Sequence, residues 1–150
     1  MGLNRLRAFL RRHRVVALDT SIFIYQLEDH ERYRHLTDPI FAWLERPEVA
    51  AVTSTITMME LLVQPYRNCS QQHVDEFYGL LSTFPNLQWV APDLAIADLA
   101  ARLRARHRLR TPDALQAATA VHMHASGLIT NDAVFRRADS FEPLILEDLL

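Results

Sequence analysis

The feature that most constrains this chain is a short Val-rich run, Val15–Leu18, which stops at an acidic residue, Asp19. Four consecutive apolar residues of this kind predict a strand that is buried on both faces. Thr20 and Ser21 follow, and an apolar pattern of helical density comes after them. A carboxylate at the C-terminal end of a buried strand lies where open α/β sheets bind their ligands. Asp19 is therefore predicted either to cap the next helix or to belong to a ligand site.

Short apolar runs alternate with helical patterns along the rest of the chain. Further strands are predicted over residues 49–53, 87–90, 128–130 and 144–146. Helices are predicted over 33–45, from 54 or 55 towards Pro65, over 70–83, over 93–107, and from Thr111 to a C-terminal glycine at Gly127. This alternation predicts a single α/β domain with a central parallel sheet of about five strands and helices on both faces.

The basic residues exclude several classes of phosphate-handling protein. All sixteen are arginines, so the chain has no P-loop lysine, no Schiff-base lysine and no kinase β3 lysine. The three glycines are too few and too scattered for a glycine-rich phosphate loop. Phosphate chemistry in this chain would have to use metal ions and arginine.

Charge is strongly segregated, although the formal net charge is only -2. Residues 1–14 contain five arginines and no acid, and residues 102–110 contain five more and no acid. The rest of the chain holds 6 arginines against 18 acids, a formal charge of -12. Residues 1–14 are predicted to form a basic amphipathic extension and residues 15–150 the main domain. The charge map suggests two basic surfaces around an acidic pocket, compatible with binding a polyanion through metal ions.

The single cysteine, Cys69, excludes an intrachain disulfide framework and favours a reducing compartment. No apolar run approaches the roughly 20 residues that span a bilayer. We therefore expect a cytoplasmic protein that does not associate with a membrane.

Four acids follow or adjoin predicted strands. Asp19 ends the first strand, Glu60 lies in the second turn of the helix after the second strand, Asp113 lies in the first turn of its helix, and Asp132 follows the fourth strand. Individually these acids could be helix caps, dipole partners or solvated residues. At one sheet edge they would repel each other unless protonated or neutralised. Mg²⁺ or Mn²⁺ suits such all-oxygen ligands, and two such ions can promote hydrolysis of a phosphodiester.

Four sequence stretches together resemble the signatures of PIN domains, most strongly those of VapC-type toxins. They are Asp19–Ser21, Ser54–Leu62, Thr111–Ala120 and Ile129–Asp132, and the resemblance covers roughly residues 15–147. It implies a Mg²⁺- or Mn²⁺-dependent endoribonuclease. Carried over, the metal-binding and catalytic acids are Asp19, Glu60, Asp113 and Asp132, and the supporting hydroxyls are Thr20, Ser21 and Thr130.

The chain departs from the family pattern at one position. Many relatives carry a further acid two residues after the position of Asp132, where this chain has Val134. We therefore expect one ion to bind tightly and a second to depend on the substrate phosphate.

Arg102, Arg106 and Arg110 fall at helical spacing just before Asp113. They are predicted either to contact RNA phosphates or to form a solvated face. The resemblance implies an RNA substrate, an antitoxin protein and a homodimer. The alternatives are a PIN-like RNA-processing nuclease outside a toxin–antitoxin pair and a non-catalytic PIN-like binding module. A haloacid-dehalogenase-like phosphatase or a receiver domain would require a lysine that the chain lacks.

Overall fold

Five parallel strands form one sheet in the order β3-β2-β1-β4-β5. The computed structural model describes residues 1–150. Strands β1 to β5 span Val15–Leu18, Ala50–Ser54, Leu87–Val90, Gly127–Thr130 and Glu142–Ile145. All four neighbouring pairs are parallel, which confirms the predicted sheet. Because the chain builds outward from β1 to β3 and then returns to place β4 beside β1, the order reverses between β1 and β4. Such a switch point leaves a crevice at the carboxyl ends of the strands.

Seven α-helices connect and cover the strands. Helices α1 to α7 span Gly2–Arg12, Thr20–Leu27, Arg34–Leu44, Thr55–Arg67, Gln71–Ser82, Leu94–His107 and Thr111–His122. Two 3₁₀ helices, Ala133–Arg137 and Leu146–Leu149, follow β4 and β5. None of the helices combines the length and the apolar character needed to span a bilayer.

The sheet separates two hydrophobic cores, as expected for a parallel sheet covered on both faces. Val16 and Leu18 belong to the core that also takes residues from α1, α2, α3 and α4, whereas Ala17 belongs to the core shared with α6 and α7. This division follows from the pleat, since successive side chains of a strand point to opposite faces.

Helix α1 packs against the first of these cores through Leu6, Phe9 and Leu10, which are all buried. Its arginines remain on the exposed side. The division of the chain at residue 14 into a basic extension and a nuclease domain stays a prediction.

Two predicted helix ends are wrong. Helix α4 does not stop before Pro65 but continues to Arg67 with Pro65 buried inside it. A proline in the last turn removes only one helical hydrogen bond, so burial can outweigh that cost. Helix α7 ends at His122, and Gly127 is the first residue of β4 instead of a helix cap. A Cβ on Gly127 would lie 2.6 Å from Cζ of Phe9, so the glycine is required where α1 crosses the strand.

Candidate metal centre

The four predicted acids line one cavity of about 450 Å³ at the carboxyl edge of the sheet. The cavity lies at the switch point, because Asp19 follows β1 and Asp132 follows β4. Glu60 comes to it from α4 and Asp113 from the first turn of α7. The structure therefore brings together residues that are separated by up to 113 positions in the chain.

Asp19 is the most constrained of these acids. It is the N-cap of α2, and its Oδ1 accepts a hydrogen bond from the backbone N–H of Thr20 at 2.9 Å. Its Oδ2 accepts a hydrogen bond of 2.7 Å from the hydroxyl of Thr130. Burial raises the pKa of Asp19 to about 6, opposed by these two hydrogen bonds and reinforced by the nearby charges of Asp113 and Glu60. A bound cation would offset this cost.

Glu60 is oriented by the hydroxyl of Thr20, a second of the three predicted supporting hydroxyls. Thr20 Oγ1 lies 2.9 Å from Glu60 Oε1 and 3.0 Å from Thr57 Oγ1. Because a carboxylate can only accept, the Thr20 hydroxyl donates its proton to Glu60 and can accept one from Thr57. Glu60 is thereby tied to α2, although it lies on the exposed side of α4.

A buried polar network beneath the cavity was not predicted from the sequence. Thr53 donates to the carbonyl of Leu18 at 2.9 Å, and Gln116 Nε2 donates to Thr57 Oγ1. Thr53, Thr57 and Gln116 are all almost completely buried. The available signal was their spacing, since Thr57 precedes Glu60 by three residues and Gln116 follows Asp113 by three, which places each beside its acid on one helix face.

Arg110 lies between the other two acids. Its Nε donates to Asp113 Oδ2 at 3.2 Å, and its Nη2 lies 3.9 Å from Asp132 Oδ2. Asp132 also caps the following 3₁₀ helix by accepting from the backbone N–H of Val134 at 3.0 Å. Asp113 is buried, whereas 77% of the Arg110 side-chain surface is exposed. The guanidinium is therefore an intramolecular counter-ion that can leave without disrupting the core.

Arg102 and Arg106 lie elsewhere, so the predicted common helical face is wrong. Helix α6 ends at His107, and Arg108 turns the chain through a left-handed conformation with φ 56°. Arg110 consequently precedes α7, while Arg102 remains on α6 and pairs with Asp98 at 3.0 Å. The spacing of the three arginines predicted one face only on the assumption that a single helix continues through residue 110, and α6 ends at His107.

Tyr25 and Asn131 also line the cavity and were not predicted. Asn131 Nδ2 donates to the hydroxyl of Tyr25 at 3.0 Å, and its Oδ1 accepts from the backbone N–H of Glu147 at 2.8 Å. Asn131 thus ties the end of β4 to α2 and to the final 3₁₀ helix. Its place directly before Asp132 in the sequence was the available signal.

The donor set of the cavity fits a hard divalent cation. It offers carboxylate oxygens, and Ser21 adds a buried Oγ that has no hydrogen-bond partner. Oxygen ligands of this kind suit Mg²⁺ and Mn²⁺. As the side chains stand, no three of them converge closely enough to share one ion. The reason lies in their present partners, since Thr20 holds Glu60, and Arg110 lies between Asp113 and Asp132. These side chains must rotate to coordinate a common ion.

Comparison with known proteins identifies what this fold and site resemble. The family model described as PIN domain matches residues 16–140. No curated protein sequence matches the chain significantly.

Solved structures of toxin–antitoxin systems share the fold. A toxin–antitoxin complex from Klebsiella pneumoniae is 26% identical, with a TM-score of 0.65 over 87% of this chain and 97% of that one. VapBC-1 from nontypeable Haemophilus influenzae is 21% identical, with a TM-score of 0.69 over 89% and 98% of the two chains. The sarcin–ricin-loop-cleaving toxin VapC20 from Mycobacterium tuberculosis is 15% identical, with a TM-score of 0.67 over 85% and 97%.

Proposed function

This chain belongs to the PIN domain family, and from that premise we propose that it is a Mg²⁺- or Mn²⁺-dependent endoribonuclease, the toxin of a type II toxin–antitoxin pair. The nuclease domain in this proposal comprises residues 15–150, and residues 1–14 form a basic extension. Its similarity to solved toxin–antitoxin structures supports the toxin role.

One observation carries the proposal: four carboxylates surround a cavity at the switch point, and burial raises the pKa of one of them, Asp19, to about 6. Clustered acids that are held together at a cost to their ionisation are typical of sites that bind cations or transfer protons. The chain has no lysine and no glycine-rich loop, and the cavity is lined by carboxylates, which favours metal-assisted hydrolysis.

Each residue has a role in this proposal. Asp19, Asp113 and Glu60 would hold the first ion, and Asp132 would help to hold a second. When bound, the ions would supply a water of lowered pKa and neutralise charge on the leaving oxygen. Thr130 orients Asp19 through its hydrogen bond, and Thr20 holds Glu60 until that carboxylate rotates towards an ion. Ser21 contributes its unpartnered hydroxyl.

The proposed partners are an RNA substrate, an antitoxin protein and a second copy of this chain, in the cytoplasm. Helix α4 presents an apolar stripe, in which the side chains of Met59, Val63 and Tyr66 are exposed and lie at helical spacing. Monomeric proteins seldom leave such stripes uncovered, which supports a homodimer through α4. The lone cysteine and the lack of a disulfide are consistent with the cytoplasm.

Single-turnover cleavage of a structured RNA across a Mn²⁺ series tests the mechanism. We expect Asp19→Ala to abolish cleavage, because it removes an acid that would hold the first ion. Asp132→Ala should lose one to several powers of ten, since a metal contact contributes several kcal/mol, and excess Mn²⁺ should partly restore its activity.

Thermal melting of the same proteins separates loss of metal binding from loss of fold. Mn²⁺ should raise the melting temperature of the wild type by mass action, and Asp19→Asn should remain folded but lose that response. An unchanged response in Asp19→Asn would remove Asp19 from the ligand set. Cleavage by the wild type in the presence of chelator would refute the metal mechanism, and no cleavage under any condition would favour a non-catalytic binding module.

A further inference from the structure

A second cavity, of about 600 Å³, lies between α1 and α3, away from the acids. We refer to it as the α1–α3 groove. Its arginines are Arg7 and Arg11 from α1 and Arg46 from the turn after α3, and His35 of α3 also lines it. Trp43, which is 6% exposed, forms part of its apolar wall.

The arginines of the α1–α3 groove have no acidic partners. Arg7, Arg11 and Arg46 form no ion pair, whereas Arg12 pairs with Glu142 and Arg32 with Glu147.

The single acid in the groove does not compensate these charges. Asp38 accepts hydrogen bonds of 2.8 Å from Arg34 Nε and 3.0 Å from Gln26 Nε2, and these two contacts lower its pKa. Because Arg34 already neutralises Asp38, the groove keeps a net positive charge. Arg7 and Arg11 are also one helical turn apart, a spacing at which like charges destabilise a helix.

The helix that supplies two of these arginines lies outside the family match and is nevertheless firmly fixed. The match begins at residue 16, so α1 lies outside the matched region. Arg5 donates to the carbonyl of Asp148 at 2.7 Å, and His13 contacts Ser126 at 2.7 Å and Glu142 at 2.6 Å. Gly2 packs so closely on Leu149 that a Cβ there would clash with its backbone. These contacts fix helix α1 on the domain and therefore hold the backbone of Arg7 and Arg11 in a defined position.

The groove runs from the edge of the sheet that carries the acids to the opposite edge. Helix α3 precedes β2 and runs antiparallel to it, so His35 lies towards the carboxyl ends of the strands and Arg46 towards their amino ends. Arg32, which lies just before α3, pairs with Glu147. Because Glu147 follows β5, this pair places the beginning of α3 at the carboxyl ends of the strands. Eleven helical residues cover about 16 Å. The His35 end of the groove therefore lies towards the same edge of the sheet as the acidic cavity.

We propose that the α1–α3 groove binds the phosphodiester backbone of the RNA substrate several nucleotides away from the cleaved bond. This inference rests on the proposed endoribonuclease activity. Guanidinium groups match phosphate oxygens in geometry and charge, and positively charged grooves of this kind follow the backbone of single strands. Helix α1 is fixed on the domain, and its Arg7 and Arg11 have no ion pair, so both guanidinium groups are free to bind a polyanion.

Binding of a fluorescently labelled single-stranded RNA 20-mer, measured by anisotropy in chelator at several salt concentrations, tests the inference. Arg11→Gln with Arg46→Gln should weaken binding roughly tenfold and reduce the slope of log affinity against log salt by about 1.4, for two lost phosphate contacts. The matched control is Arg14→Gln with Arg67→Gln, which removes two exposed arginines that also lack ion pairs but lie outside the groove. The control should keep the wild-type slope.

An equal loss of affinity and slope in both double variants would overturn the proposal that the α1–α3 groove binds RNA, because such a loss would reflect net charge alone. Unchanged RNA binding in the groove variant, with lost binding of a poly-glutamate probe, would assign the groove to an acidic protein and also overturn the inference. Cleavage assays keep the two proposals separate. If the groove variant binds RNA weakly and the wild type never cleaves, the groove stands and the nuclease fails. If the wild type cleaves and the groove variant binds like wild type, the nuclease stands and the groove fails.

Discussion

At the scale of single residues, ionisation of Asp19 in the acidic cavity is unfavourable. Burial is the main reason that the pKa of Asp19 rises to about 6 from 3.8, which corresponds to roughly 3 kcal/mol against its ionised form. Thr130 and Thr20 reduce this cost by donating to both carboxylate oxygens. Arg110 pairs with Asp113 from a solvent-exposed position. Its guanidinium is therefore the partner that a divalent cation can replace.

Removing the guanidinium of Arg110 should strengthen metal binding. The group lies 3.2 Å from Asp113 Oδ2 and 3.9 Å from Asp132 Oδ2, so it competes for the same oxygens. We expect Arg110→Gln to lower the dissociation constant for Mn²⁺ by a factor of about 3 to 10, as removal of a partly exposed ion pair allows. Isothermal titration calorimetry measures it directly.

The matched control for this change is Arg102→Gln, which removes an arginine paired with Asp98 on α6. Its Mn²⁺ affinity should equal that of the wild type. If Arg110→Gln also binds Mn²⁺ like the wild type but binds RNA more weakly, Arg110 acts on the substrate and not on the metal site.

At the scale of elements, the position of α1 depends on one small residue. Gly127 begins β4 directly beneath Phe9 and His13, and these rings leave no room for a side chain. His13 then reaches Ser126 and Glu142, so α1 is joined to the beginnings of β4 and β5. Helix α1 is therefore an integral part of the packed structure, although the family match begins after it.

Substituting Gly127 and Gly79 by alanine should have opposite effects on stability. Gly127→Ala would place Cβ 2.6 Å from Cζ of Phe9, so we expect a loss of about 1–3 kcal/mol from overpacking. Gly79→Ala, in the exposed part of α5 with nothing within 4 Å of the new Cβ, should gain about 0.5–1 kcal/mol from helix propensity. Urea unfolding at neutral pH measures both. A Gly127→Ala variant as stable as the wild type would show that Phe9 can move away without cost.

At the scale of the whole molecule, charge pairs join the two ends of the chain. Glu142 at the start of β5 accepts hydrogen bonds from Arg12 and His13 at the end of α1. Arg12 is the main cause that lowers the pKa of Glu142, and His13 acts in the same direction. A carboxyl whose pKa is lowered by folding stabilises the native state above its unfolded pKa of about 4.5 and loses that contribution as the pH falls through the lower folded value.

Glu142→Gln should therefore destabilise the protein at pH 5 and above, by up to about 1 kcal/mol because the side chain is 44% exposed. The difference from the wild type should shrink between pH 5 and pH 3, since the native Glu142 is then protonated as well. Urea midpoints over this range measure it. Glu48→Gln, at an exposed glutamate without an ion pair, is the control and should match the wild type at each pH. A Glu142→Gln deficit that does not change with pH would indicate lost packing instead of lost charge.

The sequence by itself determined the elements and the family. Strand β1 and its terminal acid were predictable because the Val-rich run must be buried on both faces and Asp19 must then leave the sheet. The acids after β2 and β4 and at the start of α7 were predictable in the same way, since helix and strand periodicity are properties of neighbouring residues. Their order along the chain was sufficient to indicate a PIN domain.

Only the tertiary structure decided what those residues contact. The pairing of β4 with β1 brings Thr130 to Asp19 across 111 positions, and burial there raises the pKa of the acid. The turn at Arg108 separates Arg110 from α6 and directs it to Asp113, which no helical periodicity could predict. The α1–α3 groove likewise exists only because two helices distant in sequence pack side by side. Local patterns depend on residues a few positions apart, whereas contacts, burial and ionisation depend on which distant segments meet.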